Sequence, residues 1–367
     1  MNKFLDIALA GIQHLSPYVP GKPVEELQRE LGLSEIVKLA SNENPFAPSE
    51  KVRTAIQEFL SELTRYPDGS GFQLKSALAR RLAVSPEQIT LGNGSSEILE
   101  LVVRTFVSSD LEVVFSQHAF ALYPLLTQAV GATAKVVPAK NYGHDLAAMR
   151  DQISNKTRLV FIANPNNPTG TILANEEIEQ FLASLPPQVL CIIDEAYFEF
   201  VPEKSQINSL DWPSRFPNAI IARTFSKAYG LAGLRIGYAI SSVDVADLLN
   251  RIRPPFNNNA LALVAAQAAL EDLETLQFSI KQNQQGMLQL TNAFQQLGLE
   301  WIPSSGNFIS VDMKLPAMPV YEALLRQGVI VRPVANYEMP THLRISIGSS
   351  AENQKFIDSL ARVLQDV

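Results

Sequence analysis

Short apolar runs recur along the chain, separated by longer stretches in which apolar residues return every three or four positions. Runs near residues 89, 113, 136, 160, 190, 220 and 237 read as strands. Those at 159–163 and 189–193 are apolar throughout, the texture of parallel strands covered on both faces. Between the runs, 49–63 carries Val52, Ile56 and Leu60 behind Ser49, which predicts a helix with a serine cap. A second helix is expected over 72–83, and Leu99, Val102, Val103 and Phe106 form the buried stripe of a third. Phe120 and Tyr123 are expected inside a helix running toward Val130. Strands alternating with helices in this way predict an α/β sandwich around a mostly parallel, seven-stranded sheet.

Beyond Pro254-Pro255 the texture changes. An alanine-rich helix over 260–273, a long helix over 278–297 and shorter strands at 308–311, 329–332 and 343–347 suggest a smaller α+β domain. Upstream, Leu15-Ser-Pro-Tyr-Val-Pro-Gly-Lys-Pro23 is an arm that proline bars from continuous helix, followed by a short helix over 24–31. The expected organisation is an N-terminal arm with part of the small domain at 1–40, a large domain at 41–255 and the C-terminal small domain at 256–367.

With 367 residues, 46% of them hydrophobic and 18% charged, the chain has the composition of an ordinary globular protein able to bury a large core. A net charge of -7 argues against general nucleic-acid binding. The single cysteine, Cys191, lies in an apolar run and excludes an intramolecular disulfide, and histidines 14, 118, 144 and 342 lack ligand spacing, so no metal site is expected. No uncharged run reaches the length of a membrane span, and the expected location is the cytoplasm.

The chemistry gathers where apolar runs end. After 219–222 comes Arg223-Thr-Phe-Ser-Lys-Ala-Tyr-Gly-Leu-Ala-Gly-Leu-Arg235, which sets Lys227 at a strand's carboxyl end, where open α/β sheets place their sites. An amine there can form a Schiff base with an aldehyde cofactor. Thr224 and Ser226 add hydroxyls and Arg235 a fork of donors for a phosphate, a set that suggests pyridoxal phosphate. Leu91-Gly-Asn-Gly-Ser-Ser-Glu97 is a glycine-rich turn opening a helix, where free amides with Ser95 and Ser96 make an anion cradle. A dinucleotide fingerprint is disfavoured because Glu97 stands where its third glycine is required. Asn167, held between prolines in Asn164-Pro-Asn-Asn-Pro-Thr-Gly170, has an amide for an oxygen. Asp194, closing another apolar run, needs a partner if buried, which a pyridinium N–H would supply, and Tyr197 would reach the ring oxygen from the same side. Phe120 either stacks on a planar cofactor or fills core. Tyr18 either closes a site or packs, Tyr66 stands alone in the loop Arg65-Tyr-Pro-Asp-Gly, and Arg332 and Arg344 either clamp an acidic group or lie exposed on their strands.

Taken in order, the Tyr18 arm, the Ser41-Asn-Glu-Asn-Pro loop, Tyr66-Pro-Asp-Gly, 164–170, 194–197, the Lys227 segment and Leu343-Arg-Ile-Ser-Ile-Gly348 make the chain resemble the fold-type I PLP-dependent aminotransferases, and within them the histidinol-phosphate aminotransferase family. The resemblance covers nearly the whole chain. It implies that Lys227 joins the cofactor as a Schiff base, that Asp194 pairs with the pyridine nitrogen and that Asn167 and Tyr197 contact the ring oxygen. Ser95, Ser96, Thr224, Ser226 and Arg235 would hold the phosphate, and Phe120 would stack on the ring. Arg344 would bind the carboxylate of glutamate and, with Arg332 and Tyr18, the phosphate of the other substrate. Tyr66 would reach the neighbouring site of a homodimer. The expected reaction passes an amino group between L-histidinol phosphate and 2-oxoglutarate, in histidine synthesis. The segment Gln117-His-Ala-Phe-Ala-Leu-Tyr123 lacks the family's Pro-Thr pair, which keeps an aromatic amino acid aminotransferase as the alternative. A PLP-dependent decarboxylase shares the lysine and ranks lower. The ligand-sensing domain of a transcription regulator ranks lowest, because no basic helix-turn-helix pattern precedes Tyr18.

Overall fold

The computed structural model describes residues 3–366. Its strands, in chain order, are Val37–Lys38 (β1), Ile89–Gly92 (β2), Glu112–Ser116 (β3), Thr133–Val137 (β4), Thr157–Ala163 (β5), Leu190–Asp194 (β6), Ala219–Thr224 (β7), Gly237–Ile240 (β8), Glu300–Ile302 (β9), Phe308–Asp312 (β10), Val329–Ile330 (β11), Arg332–Pro333 (β12) and His342–Ser346 (β13). Seven of them form one sheet in the order β2-β8-β7-β6-β5-β3-β4. The pairs β3–β4, β3–β5, β5–β6 and β6–β7 are parallel, and β8 runs antiparallel to both of its neighbours.

Strand alternation explains why these central runs carry no polar face. Val160 and Ile162 of β5 feed one core together with Ile193 and Ile221, while Leu159 and Phe161 feed a second core on the opposite face with Ile192 and Ile220. The second core is covered by the helix Ser95–Phe106 through Ile98, Leu99, Val102 and Val103. The first is covered in part by helices Glu50–Phe59 and Phe72–Leu82, and Ser49 caps the former by accepting from the Val52 amide at 3.4 Å.

The helix Ala260–Glu271 sits on this same core through Ala262, Ala265, Ala266, Ala269 and Leu270. Its physical allegiance is therefore to the large sheet, although it falls after the expected boundary at 255; small side chains allow its backbone to approach closely, and alanine carries no amphipathic signature that tells which body it covers. The next helix starts at Leu273 and runs to Gln296 without the gap expected before 278.

A second unit is built on the antiparallel sheet β12-β13-β10-β9. Its core joins Leu290 and Phe294, Val320 and Leu324, and Phe356 and Leu360 from three helices to Ile309, Val311, Leu343 and Ile345 of the sheet. The run expected as one strand at 329–332 divides: β11 pairs in parallel with β1, and β12 pairs with β13. Because Val37 lies against Val329 and Leu27 and Ala40 pack with Ile330, residues 24–40 belong structurally with the C-terminal unit, whereas the short helix Ala10–Gln13 lies against Gln128 and Gly131 of the large unit. No helix among the described residues is long and apolar enough to cross a membrane.

Candidate active site

The carboxyl ends of β5, β6 and β7, the start of helix Ser95–Phe106 and the strand β13 surround one cleft of about 850 Å³ including its mouth. Tyr18, Ser95, Ser96, Phe120, Asn167, Asp194, Tyr197, Thr224, Ser226, Lys227, Arg235, Arg332 and Arg344 all line it. Tyr66 does not. Its ring is 82% exposed and stacks on Phe256, with centroids 4.7 Å apart. Phe120 precedes the helix Leu122–Ala129 rather than lying inside it, partly buried at the cleft wall. Pro124 stands in the first turn, where its missing N–H costs nothing, so the helix begins later than the apolar spacing suggests.

Lys227 follows β7, and its Nζ donates to the Ser41 carbonyl at 3.1 Å. Burial, reinforced by the Arg344 and Arg235 charges, pulls the amine down to about 8 against the pull of Glu43 and Asp194. Asp194 closes the adjacent strand, nearly sealed from solvent at 6% exposure. Its Oδ2 accepts from the Tyr123 hydroxyl at 2.9 Å and its Oδ1 from the Ala196 amide at 3.3 Å. Burial pushes this carboxyl up to about 6 even though both hydrogen bonds and Lys227 favour the ionised form.

Beside them, Tyr197 Oη accepts from Asn42 Nδ2 at 3.0 Å and from Asn167 Nδ2 at 3.1 Å. Both acceptor positions are thus used, which leaves the phenol proton for a group in the cleft. Burial lifts this hydroxyl to about 12, so it stays protonated at neutral pH. Arg344 Nη1 donates to Asn167 Oδ1 at 2.6 Å and Nη2 to the Ala40 carbonyl at 2.7 Å, while its buried Nε has no hydrogen-bond partner among the described residues. Arg332 donates to the Val19 carbonyl at 2.8 Å and lies over the Tyr18 ring at 5.6 Å.

At the other end of the cleft the chain makes an anion cradle. Gly94, with φ +80°, caps the helix Ser95–Phe106 and offers no side chain to its first amides. A Cβ on Gly94 would lie 2.5 Å from Arg235 Nη2, so only glycine lets the guanidinium lie against this turn. Arg235 donates to Ser226 Oγ at 3.3 Å, and Thr224 Oγ1 accepts from the Ser226 amide at 3.1 Å. Behind the site, Arg223 Nε donates to Glu195 Oε2 at 2.7 Å in full burial, and burial lifts the neighbouring Glu199 to about 7.

Two contributors escaped the sequence reading. Asn42 lies in the recognised Ser41 loop, but its left-handed φ of +53° and its reach to Tyr197 are tertiary facts. Tyr123 reads as core, which it also is: it is fully buried and stacks on Phe161 at 4.3 Å.

This donor set fits pyridoxal phosphate: an amine with lowered basicity, a buried carboxyl that forms no ion pair among the described residues, a phenol with a spare proton, and a helix start beside Arg235 for a phosphate. A parallel-centred sheet with such a site at its carboxyl edge defines the class of fold-type I PLP-dependent enzymes. The chain belongs to the family of aminotransferases of class I and II, whose model matches residues 34–360. More particularly, it is 59% identical over 363 residues to histidinol-phosphate aminotransferase 2 of Pseudomonas fluorescens, covering 98% of each chain. It is 57% identical to histidinol-phosphate aminotransferase 1 of Nitrosococcus oceani, over 99% of this chain and 98% of that one. Among solved structures, the histidinol-phosphate aminotransferase of Sinorhizobium meliloti, in complex with pyridoxal-5'-phosphate, superposes with a TM-score of 0.91 at 31% identity over 97% of both chains.

Proposed function

We propose that this chain is a histidinol-phosphate aminotransferase that moves an amino group between L-histidinol phosphate and 2-oxoglutarate, using pyridoxal phosphate joined to Lys227, in L-histidine biosynthesis in the cytoplasm. The observation that carries the reading is the convergence of a partly buried amine, Lys227, and a buried carboxyl, Asp194, on one cleft from the ends of adjacent strands. When bound, the cofactor supplies an aldehyde and a ring that takes up electron density from the substrate carbon.

The chain supplies the rest. Lys227 Nζ, close to neutrality in its proton affinity, is the base that takes and returns the substrate proton. Asp194 keeps a negative charge beside the ring nitrogen, while Asn167 and Tyr197 hold the ring oxygen. Ser95, Ser96, Thr224, Ser226 and Arg235 hold the cofactor phosphate, and Phe120 covers one ring face. Arg344 binds the carboxylate of glutamate, and Arg332 and Tyr18 join it around the phosphate of the other substrate. Residues 41–255 act as the cofactor-binding domain, with helix Ala260–Glu271 packed on its core, and the rest of 256–367 with part of 1–40 as the domain that carries the two arginines. In a homodimer, the exposed Tyr66 serves the partner's cleft.

Absorbance of the purified protein with pyridoxal phosphate, before and after borohydride, followed by peptide mass mapping, is expected to show an adduct on Lys227. An unmodified Lys227 would refute the cofactor assignment. Single-turnover absorbance with histidinol phosphate, tyrosine and phenylalanine tests the substrate. Faster reaction with an aromatic amino acid would transfer the assignment to aromatic aminotransferases, and release of carbon dioxide to a decarboxylase.

A further inference from the structure

We infer that Tyr123 is a positioning residue for the proposed reaction: its hydroxyl holds Asp194 in the rotamer and in the ionised form that the cofactor's ring nitrogen requires. The inference rests on the functional reading above but on a separate contact. Asp194 has two carboxylate oxygens and few donors: Tyr123 Oη at 2.9 Å on Oδ2 and the Ala196 amide at 3.3 Å on Oδ1. The shorter bond is the one from the side chain.

Tyr123 is itself held on every side. Its ring lies parallel to Phe161, with 3° between the planes, and meets Phe120 edge-on at 5.9 Å. Its carbonyl accepts from Thr127 Oγ1 at 2.8 Å, one turn further along the helix. Phe161 belongs to β5, adjacent to the strand that carries Asp194, so the donor is fixed relative to the acceptor by the sheet. Burial and the Asp194 charge push the Tyr123 hydroxyl well up, so it is a permanent donor and never competes for the proton. The charged and titratable groups facing Asp194 are Tyr123 from the helix, Lys227 from the loop after β7, Glu195 next to it in the chain and Tyr197 beyond. Of these, Glu195 opposes ionisation, and Lys227 changes its own state during turnover, which leaves Tyr123 as the constant side-chain contribution in favour of the carboxylate.

Tyr123→Phe keeps the ring and removes the donor. Infrared difference titration of the apoprotein, with the Asp194 band assigned by Asp194→Asn, is expected to show Asp194 retaining its proton to a pH about one unit or more higher in the variant, the scale of a lost hydrogen bond to a charged group. In the loaded enzyme, kcat is expected to fall about tenfold to a hundredfold on the same basis, with KM within about twofold. Phe161→Leu loosens the ring but keeps the hydroxyl, so it separates the roles: an equal loss in both variants, with Asp194 titrating as in wild type, would overturn the inference. So would a Tyr123→Phe enzyme with wild-type kcat. Should Tyr123→Phe not fold, site-specific 3-fluorotyrosine at position 123 keeps the shape and strengthens the donor, and Asp194 must then titrate lower; an unchanged titration overturns the inference. Absence of a Lys227 adduct in wild type would defeat the functional reading alone, because the apoprotein titration decides the Tyr123–Asp194 link without it.

Discussion

Alanine at Gly237 would test whether the anion cradle depends on backbone meeting backbone. Gly237 opens β8, paired with Gly92 on one side and Thr224 on the other. A Cβ there would lie 2.5 Å from the Ser95 amide nitrogen, 2.7 Å from the Gly94 carbonyl carbon and 2.9 Å from the Arg223 carbonyl oxygen. All three are main-chain atoms, and two belong to the turn that starts the helix, so no side chain can swing away to relieve the clash. Overpacking of this kind costs roughly 1–3 kcal/mol, which at about 2 °C per kcal/mol for a chain of this class lowers Tm by roughly 2–6 °C. The turn is also expected to move outward, taking its amides and Gly94 away from Arg235. Losing one hydrogen bond to a charged group weakens phosphate binding by about 1.5–3 kcal/mol, so the Kd for pyridoxal phosphate is expected to rise about tenfold to a hundredfold. Gly233→Ala is the control, since a Cβ there meets nothing within 4 Å; its melting temperature and Kd are expected to match wild type or improve slightly. Thermal melts of the apoproteins and fluorescence titration with the cofactor give both numbers. A Gly237→Ala protein with wild-type Tm and Kd would refute the reasoning.

Lys227 sits at about 8 instead of its ordinary 10.5, and a depressed lysine is neutral in the folded chain while still charged in the unfolded one. The rate of its condensation with pyridoxal phosphate, followed by stopped-flow absorbance, should therefore reach half its plateau near pH 8, and the amine's contribution to stability should grow as pH climbs from about 8 toward 10.5. Arg344→Lys trades two placed donors for a point charge, and the KM for 2-oxoglutarate in steady-state kinetics should increase about tenfold or more while cofactor binding is kept. Glu195→Ala removes the ion-pair partner of the buried Arg223 guanidinium and leaves it Ser209, the Phe198 ring and the charge of Glu199, and urea unfolding should show a loss of about 3 kcal/mol.

The sheet was legible in the chain because strands such as 159–163 alternate between two cores and so stay apolar at every position, a pattern that surface segments do not share. Lys227, Asp194 and Asn167 were legible for a related reason: polar residues that abruptly end such runs stand at the sheet's carboxyl edge. What stayed hidden is long-range or locally ambiguous. The two-residue β1 exists only because β11, far along the chain, pairs with it. Helix 260–271 is alanine-rich on all sides and does not declare the body it covers. Tyr123 obeys the same spacing as its core neighbours, and its hydroxyl acquires a purpose only when β6 brings Asp194 within reach. Asn42 is one polar residue in a polar loop until Tyr197 and Ser346 close around it.

That last closure ties the floor of the cleft to the far end of the chain. The Asn42 amide donates to Ser346 Oγ at 2.7 Å and Arg344 to the Ala40 carbonyl, both across 304 positions of chain, and the carbonyl that receives the Lys227 amine lies between these two anchor points. Bringing such remote partners together carries an entropic cost that the packing of the finished fold offsets. The carbonyl that holds the Lys227 amine is thus itself held by residues 304 positions downstream, so a substitution at Ser346 or Arg344 disturbs the position of the amine without touching it.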